Sequence, residues 1–128
     1  MGTFHISCRI ENPTERTKSA KVAKMLVDTG SEFTWAPQET LEKLGIEREK
    51  KDVPFIMANG QQITRSVGFA IVRWGKHFTI DEIVFAEKGD LSRLGARTLE
   101  GLNLRVDTAR KSLVAAGPLP AAALAARR

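Results

Sequence analysis

Met25-Leu26-Val27-Asp28-Thr29-Gly30-Ser31 decides the reading of this chain. Three apolar residues lead into an acid, then a hydroxyl, then a glycine. A strand that enters the core and stops at a tight loop has this form, and it delivers its carboxylate to the loop. An ionised acid at such a place costs several kcal/mol unless it finds a partner, about the cost of leaving any buried charge unpaired. From average composition, Asp-[Ser/Thr]-Gly arises by chance in roughly one chain of this size in twenty. An ordinary Asx-turn, with Asp capping its own loop and Gly supplying a positive φ, explains the triplet equally well. The remainder of the chain has to choose between a turn and a site.

Outward from this stretch the pattern is that of a mainly β domain with one or two short helices. Phe4, Ile6, Cys8 and Ile10 alternate with His5, Ser7 and Arg9, which predicts a half-buried strand. Asn12-Pro13 ends it, and a polar loop runs to Ser19. A second strand is expected from Ala20 to Val27. Pro37 opens a helix over Gln38 to Leu44, which Gly45 closes. Val53 to Met57 reads as a strand, Asn59-Gly60 as a primed hairpin turn, and Gln62 to about Trp74 as the partner strand. His77 to Ile80 and Ile83 to Phe85 read as two further strands around Asp81-Glu82. A short helix is expected near Arg97 to Glu100. Leu102 to Val106 and Ser112 to Ala115 read as the last strands, joined by a turn at Asp107 to Lys111. Gly117 to Arg128 is Ala- and Pro-rich and reads as a tail. No repeat or linker divides the chain.

Bulk properties narrow the function. At 128 residues the chain forms one domain that buries about two thirds of its unfolded surface. Its one cysteine, Cys8, has no internal partner. With no leader pattern and no apolar run near membrane-spanning length, a reducing cytoplasmic location is expected, without membrane insertion. The net charge is +5. The lysines and arginines are scattered, with no basic helix or aromatic-interleaved strip, which argues against a nucleic-acid partner. His5 and His77 have no Cys or acidic neighbours at metal-ligand spacing, and no phosphate-cradling glycine loop appears. No metal or other cofactor is expected.

Three segments in order carry a resemblance: Leu26-Val27-Asp28-Thr29-Gly30-Ser31, the hairpin Ile56-Met57-Ala58-Asn59-Gly60-Gln61-Gln62-Ile63, and Leu94-Gly95-Ala96-Arg97-Thr98-Leu99. Together they resemble the retropepsin-like aspartic proteases, most nearly the small single-lobed prokaryotic enzymes. The resemblance covers residues 1–116 as one protease domain, with 117–128 as its tail. It implies a single-lobe closed β-barrel and an aspartic endopeptidase. It implies Asp28 as the catalytic acid/base, with Thr29, Gly30 and Ser31 supporting the loop. Thr29 would bond across a dimer, and Ser31 would bond the outer carboxylate oxygen. Ala58, Asn59, Gly60 and Gln61 would form a flap. Glu32, Arg93, Leu94 and Gly95 would line or back the substrate pocket.

That chemistry needs two carboxylates, and this chain has one Asp-Thr-Gly. Asp107-Thr108-Ala109 lacks the glycine, precedes Arg110-Lys111, and reads as a turn. A homodimer, with Asp28 from each copy on the two-fold axis, is therefore expected, acting on a peptide or protein substrate. Two departures stand out. The family has an apolar residue where this chain has Arg93, which would favour acidic substrate side chains or obstruct the cleft. Viral relatives carry an Arg directly after the Gly, where this chain has Ala96. Arg97, one further, would then be placed to pair with Glu32. Trp35 is expected in the core, with the pocket wall as the alternative. A retropepsin-like dimerisation or peptide-binding module without turnover is the alternative function.

Overall fold

The computed structural model describes residues 3–121. Strands β1 (His5–Glu11) and β2 (Ser19–Val27) pair antiparallel. Then follow β3 (Thr34–Pro37), α1 (Gln38–Lys43), β4 (Lys50–Ile56), β5 (Gln62–Trp74) and β6 (His77–Ala86). The two-residue strand β7 (Arg93–Leu94), α2 (Ala96–Gly101), β8 (Leu104–Asp107) and β9 (Ser112–Ala115) complete the chain. The tail expected at 117–128 has no regular structure over 117–121, and 122–128 lie outside the described residues.

The sheet order is β1-β2-β7-β3-β6-β5-β4, and β5 also pairs with β1. That extra pairing, Arg9↔Arg73 to Glu11↔Ile71, closes β1, β2, β7, β3, β6 and β5 into a ring of six. The mainly β class with two short helices is thus as expected. Ring closure leaves β4 as the open edge. It hangs from the N-terminal part of the 13-residue β5, while β1 pairs with the C-terminal part. An open edge invites pairing with other chains. Here Pro54, a register shift and the left-handed Asp52 (φ 55°) interrupt it.

Two strands went unread in the sequence. β3 and β7 are short and lie in the middle of the ring, β3 parallel to β6 and β7 parallel to β2. A strand covered on both faces shows no alternation: Thr34, Trp35 and Ala36 are all buried. The two strands expected around Asp81-Glu82 are one, because Asp81 is accommodated within β6. Its Oδ1 accepts the Glu82 N–H at 2.7 Å, and its Oδ2 accepts the Thr98 hydroxyl at 2.9 Å.

The hairpin turn also differs from the primed form expected at Asn59-Gly60. Met57 O accepts the Gly60 N–H at 2.8 Å, so the central residues are Ala58 and Asn59. Neither has positive φ, and only Gly60 is left-handed, at 86°. A three-residue loop ending in a left-handed glycine results, which needs glycine at one place only. Gly45 behaves as expected. At φ 72° it directs its own N–H to Glu42 O and that of Ile46 to Leu41 O, closing α1.

The apolar side chains fall into two clusters. The larger fills the ring and includes Ile10, Met25, Leu41, Phe85 and Leu94. The smaller joins Trp35, Val67, Val84 and Ala86 to the partly buried Phe33, Val53, Phe55, Met57 and Ile63. This second cluster ties the β4–β5 hairpin to the loop after β2, and so sets the shape of the site.

Candidate active site

β2 carries Asp28 out of the core. Met25 and Val27 are buried, and Leu26 pairs with Arg93 of β7. Asp28 leaves the strand but keeps its register, because its N–H donates to Leu94 O at 3.0 Å. The chain then turns back, with Ser31 N–H on Asp28 O at 3.1 Å and Gly30 N–H on Asp28 Oδ1 at 3.1 Å. This is an Asx-turn, so the modest reading of the triplet is correct as local geometry. Gly30 is not left-handed. Its smallness matters for another reason: a Cβ there would stand 3.3 Å from Asp28 Oδ1.

The second carboxylate oxygen, Oδ2, accepts Arg93 Nη1 at 2.7 Å. The two side chains keep 26% and 23% of their exposure, Asp28 and Arg93 respectively. Asp28 is therefore a part-buried acid with a partner, not the unpaired charge its strand alone suggests. The bond expected from Ser31 to the carboxylate is absent. Ser31 Oγ donates instead to Phe33 O at 2.8 Å, and the outer oxygen is held by Arg93.

Leu94-Gly95 backs the loop. Leu94 is fully buried, and a Cβ on Gly95 would lie 2.3 Å from Phe33 O and 2.9 Å from Glu32 O. Glycine is needed here for close approach, since its φ of −92° suits any residue. From this contact Ala96 N–H donates to Ser31 O at 2.7 Å and Arg97 N–H to Glu32 O at 3.1 Å. Behind them runs a chain of hydroxyls that the sequence reading missed. Gly95 N–H donates to Thr34 Oγ1 at 2.9 Å, Thr34 to Thr98 Oγ1 at 2.6 Å, and Thr98 to Asp81 Oδ2. Both threonines are fully buried. Thr34 carried a signal, a hydroxyl in the apolar run Phe33 to Ala36, where a buried polar group implies a fixed partner; Thr98, between Arg97 and Leu99, carried none.

Arg97 does not pair with the Glu32 side chain. Its guanidinium lies 4.8 Å from the centre of the Phe33 ring, with Nη2 3.9 Å from Asp81 and 3.8 Å from Glu82. It clamps the loop through an aromatic face and two acids of β6, in place of the missing Arg at position 96.

In front of Asp28 lies a cleft of about 720 Å³. Phe33, Trp35, Val53, Phe55 and Met57 supply much of its wall. Phe55 is the staple: its ring lies edge-on to Phe33 at 5.5 Å and tilted against Trp35 at 5.2 Å. Trp35 is both core and pocket wall, at 4% exposure. Glu32, Arg93, Gly30, Ser31 and Ala58 also line the cleft. Asn59, Gly60 and Gln61 form the exposed hairpin tip beyond it, and Thr29 is exposed on the loop. Asp107 belongs to the β8–β9 hairpin, where it accepts Arg110 N–H at 3.2 Å.

No helix among the described residues is long and apolar enough to cross a membrane. No curated protein matches the chain. A family model described as aspartyl protease matches residues 7–93, more than half of the sequence. That span holds β2, the Asp28 loop and the whole β4–β5 hairpin, and the chain belongs to the aspartyl protease family.

Proposed function

We propose that the protein is an aspartic endopeptidase that works as a homodimer, with Asp28 from each copy forming the catalytic dyad. The carrying observation is the position of Asp28 at the end of a core strand, in an apolar cleft walled by a hairpin. One Asp-Thr-Gly per chain supports the dimer, since Asp107 is held in a turn of a separate sheet. On a two-fold axis each loop meets its own copy, and the exposed Thr29 is the residue available for that contact.

Two acids a few ångströms apart share one proton. The ionised one draws a proton from a water held between them while the water oxygen attacks the scissile carbonyl carbon. The protonated one gives its proton to the carbonyl oxygen. The tetrahedral intermediate then breaks its C–N bond as the Asp28 that took the water's proton gives it to the amide nitrogen, while the other Asp28 takes a hydroxyl proton from the intermediate and the shared-proton state returns. The β4–β5 hairpin, acting as a flap, covers the peptide and keeps bulk water from the intermediate.

The test is digestion of a diverse peptide library by wild type and Asp28→Asn side by side, with sedimentation at matched concentrations. Cleavage by wild type alone, falling per mole on dilution, supports the reading. A monomer that cleaves overturns the shared dyad. One observation favours the alternative of a non-catalytic peptide-binding or dimerisation module: Arg93 already occupies the outer oxygen of Asp28. A folded dimer that cuts nothing would decide for it.

A further inference from the structure

We propose that Arg93 is the specificity-determining residue of this cleft and selects peptides with an Asp or Glu side chain beside the bond presented to Asp28. As a statement about cleavage it rests on the peptidase reading above; as a statement about binding it does not.

Among the described residues, Arg93 is the one cation lining the cleft. β7 fixes its place, because Arg93 pairs with Leu26 on one side and Trp35 on the other. Its neighbour Leu94 points into the core at 0% exposure, so by strand alternation Arg93 points the opposite way, to the cleft. A part-buried guanidinium in a cleft it shares with Phe33, Trp35 and Met57 is favoured by an anion. In the single chain that anion is Asp28, and the contact is one-pointed, Nη1 to Oδ2. A guanidinium has five N–H donors in a rigid fork, so an edge is left that fits a carboxylate with two parallel bonds. The nearby acid Asp90 does not compete for it, since Arg65 holds both its oxygens at 2.7 and 2.9 Å.

The contacts of the lining point the same way. Arg93 has a single carboxylate oxygen as its hydrogen-bond partner, and the other acid of the lining, Glu32, is exposed and makes no ion pair among the described residues. An acidic peptide side chain gives the guanidinium a second partner. It also releases Asp28: a substrate carboxylate that takes over Arg93 frees Oδ2, the oxygen that Arg93 Nη1 holds at 2.7 Å in the single chain. Recognition of the acid and release of Asp28 are then the same event, and neutral peptides lack it.

The test uses labelled peptides in matched sets, with Glu, Gln or Leu fixed at one central position. Binding is followed by anisotropy and cleavage by mass spectrometry, at physiological salt, for wild type, Arg93→Leu and Arg93→Lys. Wild type should prefer the Glu set over the Gln set by about tenfold or more, the scale of a charge-assisted bond. Arg93→Leu should bring that ratio near one, and Arg93→Lys should restore part of it. A wild-type ratio near one, or a ratio unchanged in Arg93→Leu, overturns the inference. Cleavage without acid preference overturns it while the peptidase reading stands. Acid-selective binding lost in Arg93→Leu, with no bond cut by wild type, supports it and removes the peptidase reading. Near-ultraviolet circular dichroism guards against a misfolded Arg93→Leu, and the Lys variant carries the test if that occurs.

Discussion

Gly95→Ala isolates the contact that shapes the Asp28 loop. Its φ of −92° accepts alanine without strain, so the backbone contributes no penalty of its own. The whole effect comes from where the methyl goes. It would stand 2.3 Å from Phe33 O, 2.5 Å from Phe33 C and 2.9 Å from Glu32 O, distances that real Cβ atoms essentially never show. All three atoms are backbone, so no side chain can rotate away. The loop has to retreat by about 1 Å, and inserting a methylene into a well-packed place costs about 1–3 kcal/mol. Retreat also stretches Ala96 N–H to Ser31 O and Arg97 N–H to Glu32 O. Each such bond contributes about 1 kcal/mol. A loss of about 3–5 kcal/mol follows, or roughly 10–20 °C in Tm for a domain of this size. Thermal and guanidinium unfolding at one fixed protein concentration measure it, so that any self-association enters equally for both proteins. Gly101→Ala is the comparison. The three atoms nearest its Cβ all belong to the Thr79 side chain, Oγ1 at 2.4 Å with Cβ and Cγ2 at 3.0 Å, so the clash there is with a side chain and not with the backbone of the Asp28 loop, and the loop should keep its place. A Gly95→Ala protein within about 0.5 kcal/mol of wild type, the ordinary surface range, would refute the packing argument.

The hydroxyl chain makes Thr34 the next target. Thr34→Val keeps the shape but leaves Gly95 N–H without its acceptor and Thr98 without its donor, and should cost about 2 kcal/mol by guanidinium unfolding, whereas Thr34→Ser, which keeps the hydroxyl, should retain more of that stability. Glu11 governs acid stability. The Arg73 hydrogen bond holds its carboxyl below the ordinary value of 4.5, with burial opposing and Arg16 assisting. A depressed folded value means the stabilisation is full above that ordinary value and is lost as pH falls through the folded one. Glu11→Gln should therefore flatten the acid limb of a stability-against-pH curve below 4.5, and an unchanged limb would discount the pair. Cys8 is 2% exposed, and burial pushes its thiol up to about 12. Ellman's reagent at about pH 8 should find no thiol in the folded protein and one per chain after denaturation.

The elements legible in the sequence are those whose residues report their own surroundings. β1 and the long β5 are bounded by turn residues, and α1 by Pro37 and Gly45, and their limits could be read within a residue or two. β3 and β7 are different in kind. β3 does not alternate, β7 is two residues long and too short to show a pattern, neither is flanked by a hairpin, and each lies between strands distant in sequence. The site shows the same division. Asp28, Gly30 and Gly95 announce themselves by residue type, but the hydroxyl chain from Gly95 to Asp81 joins segments up to 64 residues apart, which no local pattern encodes.

Arg93 shows why this division matters for function. In the sequence it is a departure from an apolar position, open to two opposite readings, substrate selection or obstruction. β7 removes the ambiguity about its direction, since pairing with Leu26 and Trp35 sets Arg93 beside Asp28 in the cleft. The two readings then become states of one contact. With its guanidinium on Asp28, Arg93 obstructs; with the same group on a substrate carboxylate, it selects. A residue that does both has to be a strong enough anion receptor to be drawn away, which a bidentate arginine fork is and a lysine point charge is less so.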